Sequence, residues 1–426
     1  MRRRVNRGVV SRALNVALNV VALLACASSL LCAVWIVLPA PSHFFWLVAV
    51  GASEWGLFLA ALAAFGVVCG LAARRRAGGG GRLWLWLPTT VAGSIAVVLG
   101  LYPLYSALES ARARGVSLSL RQYVARPPAN LKGQAPVDEA GALSTYTYAT
   151  IEGQELRLDA YLPPGGVARN GAAVVVVHGG SWSSGGRSDF PLWDSWLAGQ
   201  GFAVFDVDYR LAPQPNLTEA TGDVKCAVMW VKRHAARFGI SPERVALLGR
   251  SAGGHLALLA AYTSDDARLP PSCSQDGGGD ADGSPSPSGA DVRAVVSFYG
   301  PTDLTWAYDN PANQRVLDGP AALRRFTGAS PHESEEARTL YLLASPTAHV
   351  TRATPPTLLI HGGHDQLVRV ENMEMLAGRL DSFGVPHREV FLAYAQHGFD
   401  YNFDGWGAQV VRPVLLDFLR ESTRPR

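Results

Sequence analysis

Between Arg12 and Glu54 the chain carries no Asp, Glu, Lys or Arg. Within that gap, Ala13 to Leu38 is an apolar run long enough to cross a bilayer, which takes about 20 helical residues. Phe44 to Ala73 is a second run, interrupted by charge only at Glu54, and Leu83 to Leu108 is a third. The third contains Pro88 and Pro103, which membrane helices tolerate. The pattern predicts a membrane domain, 1–108, with three transmembrane helices at about 13–38, 44–73 and 83–108. A cleaved signal peptide is the alternative for the first run, because Met-Arg-Arg-Arg and "LLACASS" suit one. The run continues past Ala27 and two more follow, which favours a retained helix. Glu54 is costly in lipid unless it reaches the interface or has a function. Asn15 and Asn19 stand where they can hydrogen-bond between helices.

After a linker rich in Pro and Arg, about 109–143, the pattern changes. "TYTYAT" and "ELRLDAYLP" read as two antiparallel strands. "AAVVVVH", "FAVFDVDYR", "RVALLG", "VRAVVSFYG" and "PTLLIHG" read as buried strands, and "REVFLAY" as a last one. Between them "TGDVKCAVMWVKRHAARFG" and "AGGHLALLAAYT" have helical spacing, and "AQVVRPVLLDFL" closes the chain. Apolar strands alternating with helices predict a mostly parallel sheet with helices on both faces, an α/β domain over 144–426. "SCSQDGGGDADGSPSPSGA" has nothing apolar to bury and reads as a surface insertion. The stretch 301–354 is too long for a simple crossover and predicts a cap.

Composition sharpens the first half of this picture. Hydrophobic residues make up 48% and charged residues 17% of the 426, against about 25% charged in soluble domains. A net charge of +3, with no basic aromatic stripe, excludes a general nucleic-acid binder. Arg2, Arg3, Arg4, Arg7 and Arg12 precede the first run, and Arg74, Arg75, Arg76 and Arg82 separate the second from the third. The positive-inside rule then puts the N-terminus in the cytoplasm and the α/β domain outside, in a multi-pass protein of the cell membrane. Arg112, Arg114, Arg121 and Arg126 after the third run pull the other way.

The chemistry concentrates at strand ends. "GRSAGG" follows "RVALL" and opens a helix, so Gly249-x-Ser251-x-Gly253 is a candidate nucleophile elbow. Such a turn lifts a hydroxyl above the sheet, and the helix N-terminus beneath it favours developing negative charge. A serine nucleophile needs a base and an orienting acid. "LLIHGGHDQLV" offers Asp365 and "AYAQHGFDY" offers His397, in the order Ser, acid, His that this arrangement takes. Asp303 in "YGPTDL" is the rival acid. His361 and His364 beside Asp365 lack the further ligands of a zinc site, so neither metal nor other cofactor is expected. His178 and His255 read as structural.

Together "HGGSW", "DYRLAP", "GRSAGGHLA", "HGGHD" and "QHGF" resemble the esterase and lipase branch of the α/β-hydrolase superfamily. They are most similar to carboxylesterases related to hormone-sensitive lipase and to feruloyl-esterase-like bacterial hydrolases. The resemblance covers about Tyr146 to Leu419. It implies an α/β-hydrolase fold and an oxyanion hole from the backbone N–H groups of Gly179, Gly180 and Ala252. Hormone-sensitive-lipase relatives carry a third glycine where Ser181 stands and Asp where Arg250 stands, so these departures favour the feruloyl-esterase-like group. Trp182 either lines the substrate pocket or packs its loop, and Trp306 and Tyr308 in the cap are open in the same way.

Cys26, Cys32 and Cys69 lie in the apolar runs. Cys226 and Cys273 form a candidate disulfide if their domain is outside the cell. The expected function is hydrolysis of small-molecule or lipid carboxylic esters by an enzyme bound to the bilayer. An amidase, a peptidase or an acyltransferase uses the same triad. A catalytically dead binding module would have lost one of the three residues, and none is lost.

Overall fold

The computed structural model describes residues 2–76, 83–125, 144–212, 215–273 and 289–425, with only the backbone at 2–9 and 83–85. Most of the expected linker, Arg82, Arg126, Pro213 of "DYRLAP" and most of the low-complexity insertion lie outside the described residues. The chain forms two compact units: 1–123 with 392–410, and 124–391 with 411–426.

The first unit is helical. It contains α1 (Arg2–Ala33), α2 (His43–Glu54), α3 (Gly56–Arg76), α4 (Leu83–Ala113) and the start of α5 (Leu120–Ala125). Three stretches, Val10–Ile36, Gly56–Arg76 and Trp86–Ala113, are long and apolar enough to cross a membrane. Their inward positions are small: Ala22, Cys26, Ala60, Ala63 and Ala96 are buried, while Leu24, Phe65 and Val98 are exposed. Small residues inside and large apolar ones outside is how membrane helices pack. The backbones approach closely: a Cβ on Gly100 would stand 2.5 Å from the Gly56 carbonyl oxygen.

The expected run 44–73 is not one helix. It breaks at Trp55 (φ −115°, ψ 25°), so 43–54 is a separate short helix and the long one starts at Gly56. Gly56 presses on the backbone of Gly100, a contact that hydropathy does not encode. Asn19 Nδ2 donates to the Asn15 carbonyl 2.8 Å away, a bond within one helix rather than between two.

The C-terminal part of this unit is fastened to the helices. The Trp406 ring stacks on Tyr123 at 4.1 Å, and Tyr123 stacks on Phe58 at 5.7 Å. Gln409 accepts from the Ser119 N–H (2.7 Å) and donates to the Ser119 carbonyl (3.2 Å).

The second unit is built on an eight-stranded sheet in the order β1-β2-β4-β3-β5-β6-β7-β8. The strands are β1 (Ser144–Ile151), β2 (Gln154–Tyr161), β3 (Ala173–Val177), β4 (Ala203–Val207), β5 (Val245–Arg250), β6 (Ala294–Phe298), β7 (Thr357–Gly362) and β8 (His387–Leu392). β1 and β2 form a hairpin whose turn residues Glu152 and Gly153 both have positive φ (51° and 83°), the twist that two-residue hairpins favour. β2 runs antiparallel to β4, and β4, β3, β5, β6 and β7 are parallel. Every residue of β3 to β7 is buried, as a sheet covered on both faces requires.

The covering helices are α6 (Pro191–Gly199), α7 (Leu217–Arg233), α8 (Ala235–Phe238), α9 (Ala252–Tyr262), α13 (Glu371–Phe383) and α14 (Trp406–Ser422). The expected cap is three short helices, α10 (Leu304–Asp309), α11 (Gly319–Thr327) and α12 (Glu335–Leu343), with side-chain N-caps from Asp303, Asp318 and Ser334. A disulfide joins Cys226 on α7 to Cys273.

Candidate active site

Ser251 stands between β5 and α9 with φ 55° and ψ −122°. A non-glycine residue there is strained, and such strain persists only where the surroundings enforce it. Here two glycines do so. A Cβ on Gly253 would lie 2.2 Å from the carbonyl oxygens of both Val177 and His178, and one on Gly249 would lie 2.1 Å from that of Gly253. β3, β5 and α9 meet at a point too tight for side chains. The Ser251 N–H donates to the Phe298 carbonyl at 2.9 Å. Ala252, the first residue of α9, holds one of the N–H groups that lack an intrahelical acceptor by position.

The loop after β3 comes up against this elbow. A Cβ on Gly179 would meet the Arg250 carbonyl oxygen at 3.0 Å and the Ser251 Cβ at 3.2 Å. Gly180, Ser181 and Trp182 all have positive φ (112°, 52° and 57°). Ser181 therefore adopts the backbone that a third glycine would adopt freely. His178 braces the loop: its Nδ1–H donates to the Gly179 carbonyl at 2.7 Å and its ring stacks on Tyr209 at 4.3 Å. Burial lowers its pKa, against the raising effect of the Gly179 hydrogen bond.

Trp182 does both things the sequence left open. It stacks on Phe326 (4.4 Å), donates from Nε1 to His255 Nδ1 (3.2 Å) and also lines the cleft over Ser251. His255 passes its own Nε2–H to the Ala344 carbonyl at 2.7 Å. Burial pushes its pKa down to about 4, so it is a neutral structural bridge from elbow to cap.

The cleft has a volume of about 580 Å³ including its open mouth, and Ser181, Trp182, Ser251 and Ala252 form its floor. Its walls come from the cap (Ala307, Pro311, Leu317, Leu323) and from the loop after β7 (Leu367, Arg369). Sequence reasoning missed these walls and singled out the neighbours of Ala307 instead. Trp306 packs under the Arg369 guanidinium at 5.4 Å, and the Tyr308 hydroxyl accepts from Arg324 at 3.0 Å.

Asp365 lies in the loop after β7 with its side chain fully buried. Its Oδ1 accepts from the Leu367 and Val368 N–H groups (2.8 and 2.9 Å), and its Oδ2 lies 3.3 Å from His361 Nε2. The rival acid, Asp303, is engaged as the N-cap of α10, accepting from the Trp306 N–H at 2.9 Å. His364 is half-buried and its pKa is lowered by that burial. His397 is buried in the turn after β8, within the segment 392–410 of the first unit.

Arg250, the departure next to the nucleophile, has a structural account. Its guanidinium lies over Phe190 (4.0 Å) and near Phe298 (4.9 Å) and Trp193 (5.4 Å). Asp194 and Asp206 are buried nearby. Burial raises both above the usual carboxylate range and the Arg250 charge draws them back.

Several curated mycobacterial relatives match this chain, LipM and LipC among them. The probable carboxylic ester hydrolase LipM of Mycobacterium tuberculosis is 33% identical over 54% of this chain and 50% of its own. Esterase LipC of the same organism is 31% identical over 59% of each. The chain thus spans between half and three fifths of the length of these two relatives. Among solved structures, a thermophilic esterase from Thermogutta terrifontis aligns over 66% of this chain and 92% of its own, with 24% identity and a TM-score of 0.50. Its esterase 2 phosphonylated by sarin aligns over 68% and 98%, with 23% identity and a TM-score of 0.52. These likenesses show an α/β-hydrolase fold. The BD-FAE family model matches residues 158–380, just over half of the chain and both Ser251 and Asp365. The chain belongs to the BD-FAE family.

Proposed function

We propose that this chain is a membrane-anchored serine hydrolase that cleaves carboxylic esters. The observation that carries the reading is Ser251, held in a strained strand-to-helix turn at the floor of an apolar cleft. Ser251 Oγ attacks the ester carbonyl while His397 takes its proton, and Asp365 orients the imidazole and stabilises its charged form. The carbonyl oxygen becomes an oxyanion that accepts from the N–H groups of Gly179, Gly180 and Ala252. Each such donor contributes about 3–4 kcal/mol in the transition state. Because the Ser251 N–H is engaged by Phe298, Ala252 is the donor the elbow supplies. The alcohol leaves with the proton from His397. Water, deprotonated by His397, then attacks the acyl-serine and frees the acid. The names of LipM and LipC support ester chemistry, and a cleft of about 580 Å³ walled largely by apolar residues suits a short or medium acyl chain.

The direct test uses the full chain in detergent with p-nitrophenyl butyrate. Hydrolysis is expected, and Ser251→Ala should lower kcat by roughly 10⁴-fold or more. Undiminished turnover in that variant refutes the assignment.

The helices anchor the chain with its N-terminus in the cytoplasm and the hydrolase unit outside. The arginine distribution supports this, as does the Cys226–Cys273 disulfide, which persists in oxidising compartments. Of the five cysteines, protein extracted under denaturing conditions without reductant should titrate as three thiols. Five thiols would contradict the extracytoplasmic placement.

A further inference from the structure

We propose that Glu54 is a positioning residue for His397, so that the N-terminal helices are part of the catalytic apparatus as well as an anchor. The inference rests on the assignment of His397 as the base.

Residues 392–410, which carry His397, belong to the same compact unit as the N-terminal helices. Glu54, the last residue of α2, is 2% exposed. α2 packs on the 3-10 turn Phe399–Tyr401 that begins two residues after His397. The Glu54 carboxyl reaches the chain beyond that turn: a Cβ on Gly405 would stand 2.1 Å from its Oε2. Asp400 and the Asn402 amide lie beside it on the same stretch, and Tyr394 and Tyr123 are its other polar neighbours. Glu54 thus touches the loop after His397, at Asn402 and Gly405, and lies within electrostatic reach of Tyr394 before it and Asp400 after it.

Burying a carboxyl is costly where an apolar side chain is not. Among the described residues, the Glu54 carboxyl lies at the Asn402 amide, the Tyr394 hydroxyl at the Gly407 backbone and the Tyr123 hydroxyl at Leu57 and Trp406, and none of these approaches meets full hydrogen-bond geometry. Four buried polar side chains therefore converge on one spot, a poor arrangement for stability alone. The other fastenings of the segment, Trp406 on Tyr123 and Gln409 on Ser119, hold its far end. They keep the segment attached when Glu54 is replaced, while the turn bearing His397 loses its support.

The test is steady-state hydrolysis of p-nitrophenyl butyrate by the full chain in detergent. Glu54→Ala should lower kcat at least tenfold and leave KM within twofold, because the residues lining the cleft are elsewhere. Glu54→Gln, of equal size and able to hydrogen-bond, should stay within threefold of the parent kcat. Gly405→Ala, which drives a methyl into the same carboxyl, should reproduce the kcat loss. An unchanged kcat in Glu54→Ala overturns the proposal. So does a loss shared by Glu54→Gln that follows the folded fraction or Tm. If Glu54→Ala does not fold, Gly405→Ala decides on the same criteria, and failure of both to fold makes the role structural and overturns it. His397→Ala is run in parallel. Full activity there removes the base assignment itself, whereas its loss beside an active Glu54→Ala removes only the positioning role.

Discussion

The two units use small and large residues in opposite ways. In the hydrolase unit the large apolar side chains are inside, and among the described residues exposed ones are few: Val124, Leu342 and Phe391. In the N-terminal helices Leu, Val and Phe are outside and alanine, glycine and cysteine are inside. Glycine serves both, for different reasons. At Gly249 and Gly253 it lets two strands and a helix converge under a serine. At Gly56 and Gly100 it lets two helices touch backbone to backbone where no aqueous hydrophobic effect drives them together. The difference teaches that one residue type reads as catalytic in one unit and as lipid-phase packing in the other, according to what surrounds it.

The comparison breaks most sharply at Gly253. A methyl there meets two backbone oxygens at 2.2 Å, and backbone cannot rotate away as a side chain can. Gly253→Ala should cost more than about 4 kcal/mol, and expression trials should recover little folded protein; near-parental Tm would contradict the tight convergence.

A smaller effect tests the buried bridge between elbow and cap. His255 has its pKa pushed down to about 4 in the folded protein, against about 6.5 when unfolded. Between these values the unfolded chain binds the extra proton and the native chain does not. The stability from this group is complete above pH 6.5 and is lost as pH falls towards 4, by about 3 kcal/mol in all. His178, His349 and His364, also lowered by burial, act in the same direction. Unfolding followed from pH 7 to 4 should show this slope, and His255→Gln should flatten it.

The smallest effect belongs to the helices. Gly70 faces Ala22 with space for a methyl at 3.5 Å, an ordinary contact. Gly70→Ala should change stability by less than about 0.5 kcal/mol. A large loss in detergent unfolding would mean that the helices approach more closely than this.

Much of this was legible because chemistry and strand ends coincide in the sequence. "RVALLGRSAGG" contains its own strand, turn and helix, so the elbow at Ser251 follows from local pattern. "VVVVHGG" likewise announces a buried strand ending in a loop of bare backbone. Ser181 was the uncertain position, and its φ of 52° shows why glycine is favoured there and how serine manages. The remainder depended on contacts distant in sequence. No local signal tells that Ala307 rather than Trp306 faces the cleft, because α10 is oriented by packing against other cap helices. The cage around Arg250 is built by Phe190, just before α6, and Trp193 within it, some sixty residues earlier. The break at Trp55 follows Glu54, the one charge in its run, and Gly56 after it packs on Gly100, more than forty residues away. The grouping of 392–410 with the helices rests on pairs such as Ser119 and Gln409, which no periodicity connects.

The central claim is that Ser251 is the nucleophile of an ester hydrolase. Its most direct test is to titrate the full chain with a fluorophosphonate, follow p-nitrophenyl butyrate hydrolysis, and map the adduct by peptide mass spectrometry. The account predicts one phosphonyl group per chain, on Ser251, with activity falling in step with modification. Complete modification of Ser251 with hydrolysis undiminished, or inactivation with the adduct on another residue, would contradict it.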